Sequence, residues 1–413
     1  MLKTIKQWEL TRAVWTLFQW LVLGVTIGAL VGTVGALFGH ALIWANAMRK
    51  AYPFVVYGLP VGGLLIVALY RGAKNTDDRG TNTIIGALQD GTDISFKTAP
   101  LIFISTTITQ LVGGSAGREG AALQLGGSIA NNTAKLLRFK DSSRKMLIMC
   151  GMSAGFSALF GTPLAASFFS IEMACVGYLQ LAGLVPCVIS AYTGYFMAKL
   201  FQIPPEVFPV EAMPALTPVL LLQVVALAVI IGLVSILFCK VLHGAEHAYA
   251  HYIKNPYLRI GIAGILLILL TGAMGTRAYL GSGMELIEEI FHHGNAKWYT
   301  FLLKILFTAV TLGAGFKGGE IVPSFTIGAA LGFVCGSLFG LPVELAAACG
   351  MAGLFCGVTN CPVTALLISF ELFGFAAMPC YIVVVAVSYL ISGYHSLYHK
   401  QKFIWSKTNL SQK

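Results

Sequence analysis

The stretch GGSAGREGAALQLGG, residues 113–127, places Arg118 and Glu119 side by side in an otherwise apolar chain. Ionisable side chains within apolar membrane segments are costly and usually serve function. Burial favours the neutral form of a carboxyl group, so proton uptake can release such a side chain from a charged partner. We therefore predict that Glu119 is a gate that carries protons. The alternative is that Glu119 forms a structural ion pair with Arg118.

The composition indicates a membrane protein. The chain has 413 residues, of which 57% are hydrophobic and 11% charged, and its mean hydropathy is +0.79. Soluble proteins carry about a quarter charged residues. No stretch alternates like a barrel strand, and several apolar runs approach the ~20 residues of a membrane-spanning helix. These runs are 15–44, 57–70, 216–238, 260–274 and 376–391. We predict an all-α polytopic protein whose first run, too long for a cleaved signal, is retained.

Charge and cysteine content narrow the function classes. The net charge of +10 is spread over termini and connecting segments, which the positive-inside rule places in the cytoplasm together with both termini. The basic clusters are Lys3, Lys6 and Arg12; Arg138, Lys140, Arg144 and Lys145; and Lys400, Lys402, Lys407 and Lys413. Without a basic soluble domain, lipids rather than nucleic acids are the expected surroundings. The nine cysteines, with no CxxC pair, indicate small buried apolar residues and no disulfide framework.

The sequence contains an internal repeat. CGMSAGFSALFGTPLAASFFSIEM begins at residue 150, and CGMAGLFCGVTNCPVTALLISFEL begins at residue 349, 199 residues later. Pro163 then corresponds to Pro362, and Glu172 to Glu371. Upstream, GREGAALQLGG at 117–127 aligns with GEIVPSFTIGA at 319–329, an offset of 202.

This repeat predicts the organisation of the chain. We expect a cytoplasmic N-terminal segment, two transmembrane repeats joined by a linker, and a cytoplasmic tail, with bounds of 1–14, 15–200, 201–215, 216–400 and 401–413. Internal repeats in membrane proteins are typical of transporters whose site lies at the repeat interface. An odd number of spans in each half would make the halves inverted.

The repeated glycine-rich motifs each precede a predicted helix, from Ala121 and from Pro323. Non-helical backbone within a membrane is tolerated where it lines a cavity or is buried in protein. Free N–H groups and the helix dipole make such helix starts suitable for anions, and proline fits a first helical turn. We predict that the two starts converge on a dehydrated anion site. No cage of acidic residues for a cation is visible.

These motifs resemble those of the CLC family of chloride channels and anion/proton antiporters. GREGAALQLGG resembles the family's GREGP motif, and GGEIVPSFTIGAALG resembles its GxFxP region. The resemblance extends from about residue 20 to residue 400. It implies a homodimer with one pore in each subunit, two inverted halves with helices broken near mid-membrane, and ion transport without enzymatic activity or a cofactor. The cytoplasmic CBS pair of many members is not expected.

Departures from the chloride-transporting members point to one branch of that family. Thr81 replaces the serine of the GSGIP motif, and Ala121 replaces the proline of GREGP. Ile321 replaces the phenylalanine of GxFxP and is preceded by Glu320, while Met173 stands where exchangers carry an inner glutamate. Together these changes resemble the fluoride/proton antiporter branch, CLC-F. The resemblance implies exchange of fluoride, or alternatively chloride, for protons, with fluoride export from a bacterial inner membrane.

The same resemblance assigns the site. Glu119 is the gating and proton-carrying residue, and without an inner glutamate we hypothesise that its protonated side chain swings toward the cytoplasm. Thr81, Asn82 and Tyr398 are expected around the anion. Further anion-binding positions are Gly117, Arg118, Gly120, Glu320, Ile321 and Val322.

Other interpretations of these residues stay open. The Thr81 hydroxyl can bond to its own helix, Glu320 can be a surface carboxylate at an outer mouth, and Tyr394 competes with Tyr398. Either tyrosine can also be a membrane-interface aromatic.

Three other functions remain as alternatives. A passive chloride channel and a chloride/proton exchanger share the expected fold. HGAEHAYAH contains the H-x-x-E-H pattern of a zinc protease class, with His243, Glu246 and His247 on one helix face. A catalytic zinc site would need further ligands and an accessible cleft, so an intramembrane metalloenzyme is a remote alternative.

Overall fold

The computed structural model describes residues 2–76, 78–210 and 213–407, with side chains from residue 11 onward. The side chains of Lys3 and Lys6, and the whole of Lys413, lie outside the described part of the three basic clusters. All nine cysteines are free, and eight of them are buried.

The described chain folds into sixteen α-helices. They are α1 Leu2–Ala51, α2 Leu59–Gly72, α3 Thr81–Asp90, α4 Thr98–Val112, α5 Glu119–Leu136, α6 Asp141–Phe160, α7 Pro163–Glu172, α8 Leu184–Leu200, α9 Pro218–Tyr252, α10 Pro256–Met274, α11 Met284–His293, α12 Thr300–Gly313, α13 Ile321–Phe339, α14 Val343–Thr359, α15 Pro362–Phe373 and α16 Met378–Ile391. Short 3₁₀ helices cover Pro53–Gly58 and Leu181–Gly183. Two short strands, β1 Cys175–Val176 and β2 Lys402–Phe403, pair in parallel.

Six of the described helical segments are long and apolar enough to cross a membrane. Five further apolar helices are 10–17 residues long, shorter than the ~20 residues of a typical complete crossing. The prediction of an all-α polytopic protein with broken helices is confirmed. A single helix, α1, runs through the predicted boundary at residue 14, while 201–217 separates α8 from α9.

The two repeats cap each other's helices. Both carboxylate oxygens of Glu172, at the end of α7, accept N–H groups at the start of α15, from Val363 at 3.0 Å and Thr364 at 2.8 Å. Glu371, at the end of α15, accepts N–H groups at the start of α7 at 3.0 and 2.8 Å. The end of each helix therefore lies at the start of the other. The two helices are antiparallel, as an in-plane two-fold axis between inverted halves requires.

Equivalent glycines bring the helices of each repeat into close contact. A Cβ on Gly126 of α5 would lie 2.1 Å from the Gly151 carbonyl oxygen of α6. In the second repeat, a Cβ on Gly328 of α13 would lie 2.4 Å from the Gly350 oxygen of α14. Small residues allow such approach in membranes, where van der Waals packing is a main source of helix association. The short helices around the site are thereby held by backbone-to-backbone packing.

We expect the two caps to contribute similarly to stability. Changing Glu172→Gln or Glu371→Gln removes the charge from a group that accepts two helix-start N–H bonds. Bonds to charged groups contribute about 1.5–3 kcal/mol each, and the helix dipole adds to this. Each change should lower the thermal unfolding midpoint of detergent-solubilised protein by several degrees, followed by tryptophan fluorescence. Glu289→Gln, on α11, is the control; a loss confined to one of the two caps would contradict their equivalence.

The linker and the C-terminal segment mark two different faces of the protein. The linker face carries 201–210, where Pro205 packs near Gly161 at the end of α6. Helix α9 begins after this linker and ends near the C-terminal segment, where His399 contacts Glu246 at 3.4 Å. We call the side of residues 394–407 the C-terminal face. A central site can therefore be reached from two faces that carry different residues.

Candidate anion and proton site

Two helix starts meet at the centre of the protein. Gly117 and Gly319, two residues before α5 and α13, form an antiparallel bridge. The Gly117 N–H donates to the Gly319 oxygen at 2.6 Å, and the Gly319 N–H donates to the Gly117 oxygen at 2.8 Å. The first helical residues, Glu119 and Ile321, follow two positions later in each repeat. We call this meeting point the crossing; it is the convergence that the sequence predicts.

The crossing leaves donors free at both helix starts. The N–H groups of Gly120, Ile321 and Val322 donate to no acceptor within the described part of the chain. Gly117, predicted as an anion ligand, instead uses its N–H in the bridge to Gly319. In this conformation the bridge uses this amide, so an anion contact at Gly117 stays a prediction. The remaining amides carry the partial positive charge that suits an anion.

Glu119 lies at the crossing with its side chain fully buried. Its Oε2 accepts the Arg118 N–H at 3.1 Å, and its Oε1 lies 3.3 Å from Arg118 Nε. A Cβ on Gly117 would lie 3.0 Å from Glu119 Oε2 and from Pro323 Cδ. The carboxylate is therefore both paired with Arg118 and placed on a helix-start amide beside the second repeat. The ion pair that the sequence offered as an alternative is therefore present, and the gating role of Glu119 stays a prediction.

Thr81 and Glu320 lie next to the same helix start. A Cβ on Gly120 would lie 3.2 Å from Thr81 Oγ1 and 3.0 Å from Glu320 Oε2. Thr81 is buried as the first residue of α3, and its hydroxyl makes no hydrogen bond within the described residues. A hydroxyl, a carboxyl group and the free Gly120 amide thus surround one point.

Asp78 orients the turn before α3, a role that the sequence analysis missed. Its two carboxylate oxygens accept hydrogen bonds from Gln124 Nε2, at 2.6 and 2.8 Å. Its Oδ1 also accepts the Gly80 N–H at 3.1 Å. Hydroxyls of Thr83, at 3.1 Å, and Tyr70, at 3.3 Å, complete the set. Because Gln124 belongs to α5, this network couples the Thr81 turn to the helix that carries Glu119. The signal available in the sequence was Asp78 itself, an acidic residue just before the RGTNTI stretch at 79–84.

A cavity of about 680 Å³ leads from the crossing to the C-terminal face. We call it the inner cavity; its polar lining includes Thr81, Asn82, Gln124, Glu320, Glu246, His243, His399 and Lys400. Asn82 Oδ1 accepts the Lys400 N–H at 3.1 Å. Glu320 shares this cavity with the C-terminal residues. Glu320 therefore lies on the side of the C-terminal segment, and its role at the anion site stays a prediction.

Tyr398 and Tyr394 differ in burial. Tyr398 is 1% exposed, and its hydroxyl has no partner within the described residues. It lines a neighbouring cavity of about 420 Å³ that also contains His243 and His399. Tyr394 is 50% exposed, and its hydroxyl lies 2.7 Å from Ser406 Oγ. A buried hydroxyl without a partner favours Tyr398 as the tyrosine with a role in the interior.

His243 and Glu246 of the H-x-x-E-H pattern line the mouth of the inner cavity, whereas His247 is not part of its lining. The His243 and His399 rings lie with centroids 3.8 Å apart and planes tilted by 32°, whereas the His247 ring neighbours His251 at 6.1 Å. The described residues contain no group of three His, Cys, Asp or Glu side chains arranged to hold a metal. The Glu246 carboxylate raises the pKa of His399, because its hydrogen bond stabilises the protonated ring. This geometry favours a protonatable mouth over a zinc site.

Comparison with known proteins agrees with this architecture. The family model described as voltage gated chloride channel matches residues 61–393. A chloride/fluoride channel protein of Pseudomonas syringae pv. tomato is 33% identical over 94% of this chain and 87% of its own length. The crystal structure of a CLC-type fluoride/proton antiporter superposes with a TM-score of 0.90 at 34% identity, covering 94% of this chain and 98% of that chain.

A more distant structure shares the fold alone. The crystal structure of a slow cyanobacterial Cl⁻/H⁺ antiporter has a TM-score of 0.77 at 19% identity, covering 90% of this chain and 94% of that chain. The family match spans most of the sequence and includes both helix starts of the crossing. The chain is a multi-pass membrane protein that belongs to the voltage gated chloride channel, or CLC, family.

Proposed function

We propose that the protein exchanges fluoride for protons across the membrane and exports fluoride. One observation carries the proposal: the buried Glu119 carboxylate lies on a helix-start amide at the crossing, beside other amides that have no acceptor among the described residues. A negative charge already occupies the place that an anion would take. The relative from Pseudomonas syringae and the fluoride/proton antiporter structure, at 33% and 34% identity, support this choice of ion.

The exchange cycle follows from competition for one place. Charged Glu119 occupies the crossing and excludes an anion. Protonation removes its charge, weakens its bond to the Arg118 amide, and leaves the amides to fluoride. The neutral side chain then moves toward Thr81 and Glu320, which border the inner cavity, and loses its proton there. Since anion and carboxylate cannot occupy the crossing together, each fluoride that passes is coupled to a movement of Glu119.

Fluoride places a particular demand on this site. It is small and strongly hydrated, so donors must replace several water molecules. The amides of Gly120, Ile321 and Val322 are free to donate. The Thr81 hydroxyl lies beside them, and Asn82 lines the route from the inner cavity. Arg118 stays next to the crossing as a fixed positive charge that favours an anion over an empty site.

The setting of the protein is part of the proposal. We place the C-terminal face in the cytoplasm of a bacterial inner membrane, with both termini inside and two subunits forming a homodimer. The basic residues Lys400, Lys402 and Lys407 lie on this face, as the positive-inside rule favours. The two repeats would cover 15–200 and 216–400, joined by a linker over 201–215.

Reconstitution tests the function directly. Proteoliposomes loaded with fluoride should release it faster than chloride-loaded ones release chloride, both measured with ion-selective electrodes. They should take up protons against a proton gradient when fluoride flows out. Fluoride release without proton movement would indicate a passive channel. Equal rates for chloride would favour a chloride/proton exchanger and contradict fluoride selectivity. Cells that lack the protein should be more sensitive to fluoride than cells that have it.

A further inference from the structure

The guanidinium of Arg118 is shared between two carboxylates. Its Nε lies 3.3 Å from Glu119 Oε1, and its Nη2 is hydrogen-bonded to Glu206. Glu206 lies between α8 and α9, in the segment that joins the two repeats. Within the described residues, Arg118 forms ion pairs only with these two carboxylates. One of them belongs to the crossing and the other to the linker.

Burial makes the second partner important. The Arg118 and Glu206 side chains are only 14% and 19% exposed. A guanidinium keeps its charge at any relevant pH, and removing the partner of a buried charge is strongly destabilising. When Glu119 leaves the crossing, Arg118 retains Glu206 and does not become an unpaired buried charge. The linker carboxylate therefore lowers the cost of releasing the gate.

We propose that Glu206 is a positioning residue for exchange, which holds Arg118 while Glu119 departs and sets the pH range in which the gate opens. This inference rests on the proposed function. Glu206 favours the protonation and release of Glu119 in two ways. It divides the attraction of the guanidinium between two carboxylates, and its own negative charge lies near that of Glu119.

Three of the other charged side chains beside Arg118, those of Arg49, Lys50 and Glu285, have partners of their own. A cavity of about 170 Å³ beside Arg118, which we call the outer mouth, is also lined by Arg49, Lys50, Glu206, Glu285 and Glu288. Lys50 pairs with Glu285 at 2.9 Å, and Arg49 Nη1 donates to the Gln110 oxygen at 2.7 Å. Glu320 is the charged group on the other side of the crossing. Because Glu285 lines the same mouth without contacting Arg118, it provides a matched control.

The test compares Glu206→Gln, Glu206→Asp and Glu285→Gln in proteoliposomes, with fluoride efflux and proton uptake measured across a range of pH. An opposite charge nearby moves a carboxylate's titration by about one to three pH units. Glu206→Gln should therefore shift the half-maximal pH of exchange about one unit toward acid and slow exchange about tenfold near neutral pH. The exchange rate of Glu206→Asp should stay within about twofold of the wild-type rate, because the negative charge remains. Glu285→Gln should keep the wild-type pH profile.

The outcomes separate this inference from the proposed function. A wild-type protein that does not exchange fluoride for protons would overturn both. Normal wild-type exchange with an unchanged profile in Glu206→Gln, or with an equal shift in Glu285→Gln, would overturn the role of Glu206 alone. If Glu206→Gln is poorly folded, the double variant Arg118→Gln/Glu206→Gln removes the pair together. Without the guanidinium that attracts Glu119, the pH midpoint of this double variant should not move toward acid. A midpoint about one unit more acid than that of the wild type would contradict the inference.

Discussion

Replacing Glu119 by glutamine should abolish fluoride-driven proton uptake. Glutamine fills nearly the same volume at the crossing but cannot bind and release a proton. General acid–base groups contribute about 10²–10⁴ in rate, so proton uptake should fall by about 100-fold or more. The measurement is pH recording in proteoliposomes during fluoride efflux, at matched protein content.

The control for this change is Glu344→Gln, at the start of α14 and away from the crossing. It should transport protons at the wild-type rate. Fluoride-driven proton uptake that persists in Glu119→Gln would show that another group carries the proton. The mutual exclusion of carboxylate and anion would then be wrong, even if fluoride itself still crossed the membrane.

Adding one methyl group at Gly319 should also have a large effect. A Cβ there would lie 2.6 Å from the Gly120 nitrogen and 3.3 Å from the Glu119 nitrogen, both backbone atoms that cannot turn away. Gly319→Ala must therefore push the two helix starts apart. Overpacking of this kind costs about 1–3 kcal/mol. Fluoride efflux should fall about tenfold or more, because donors on both helices must converge on one ion.

Gly261→Ala provides the matched control. Gly261 lies inside α10 with open space around it, and alanine favours helix more than glycine does. This variant should transport normally and unfold at the wild-type temperature or above it. Wild-type efflux in Gly319→Ala would mean that the spacing of the crossing is not needed for transport.

Much of this architecture is visible in the sequence. Long apolar runs predict the membrane helices, and the repeat predicts that Glu172 and Glu371 are equivalent. Glycine before an apolar helix predicts the two starts at the crossing. These features are local or periodic, so their physical meaning does not depend on knowing the fold.

Contacts between distant segments could not be predicted in this way. Asp78 binds Gln124, 46 positions further along the chain, and Glu206 reaches Arg118 across 88 positions. Neither acidic residue belongs to a motif, and each would fit a surface loop equally well. The side of the protein to which Glu320 faces likewise depends on how α13 meets the C-terminal segment.

The reciprocal caps of α7 and α15 also affect biosynthesis. The amide of Leu164 is made 207 positions before the Glu371 carboxylate that accepts it. When α7 leaves the ribosome, its first turn must wait until almost the whole chain has been translated and inserted. We therefore expect the first repeat to reach the bilayer early but to gain these contacts only when the second arrives, so that the two repeats complete their folding together.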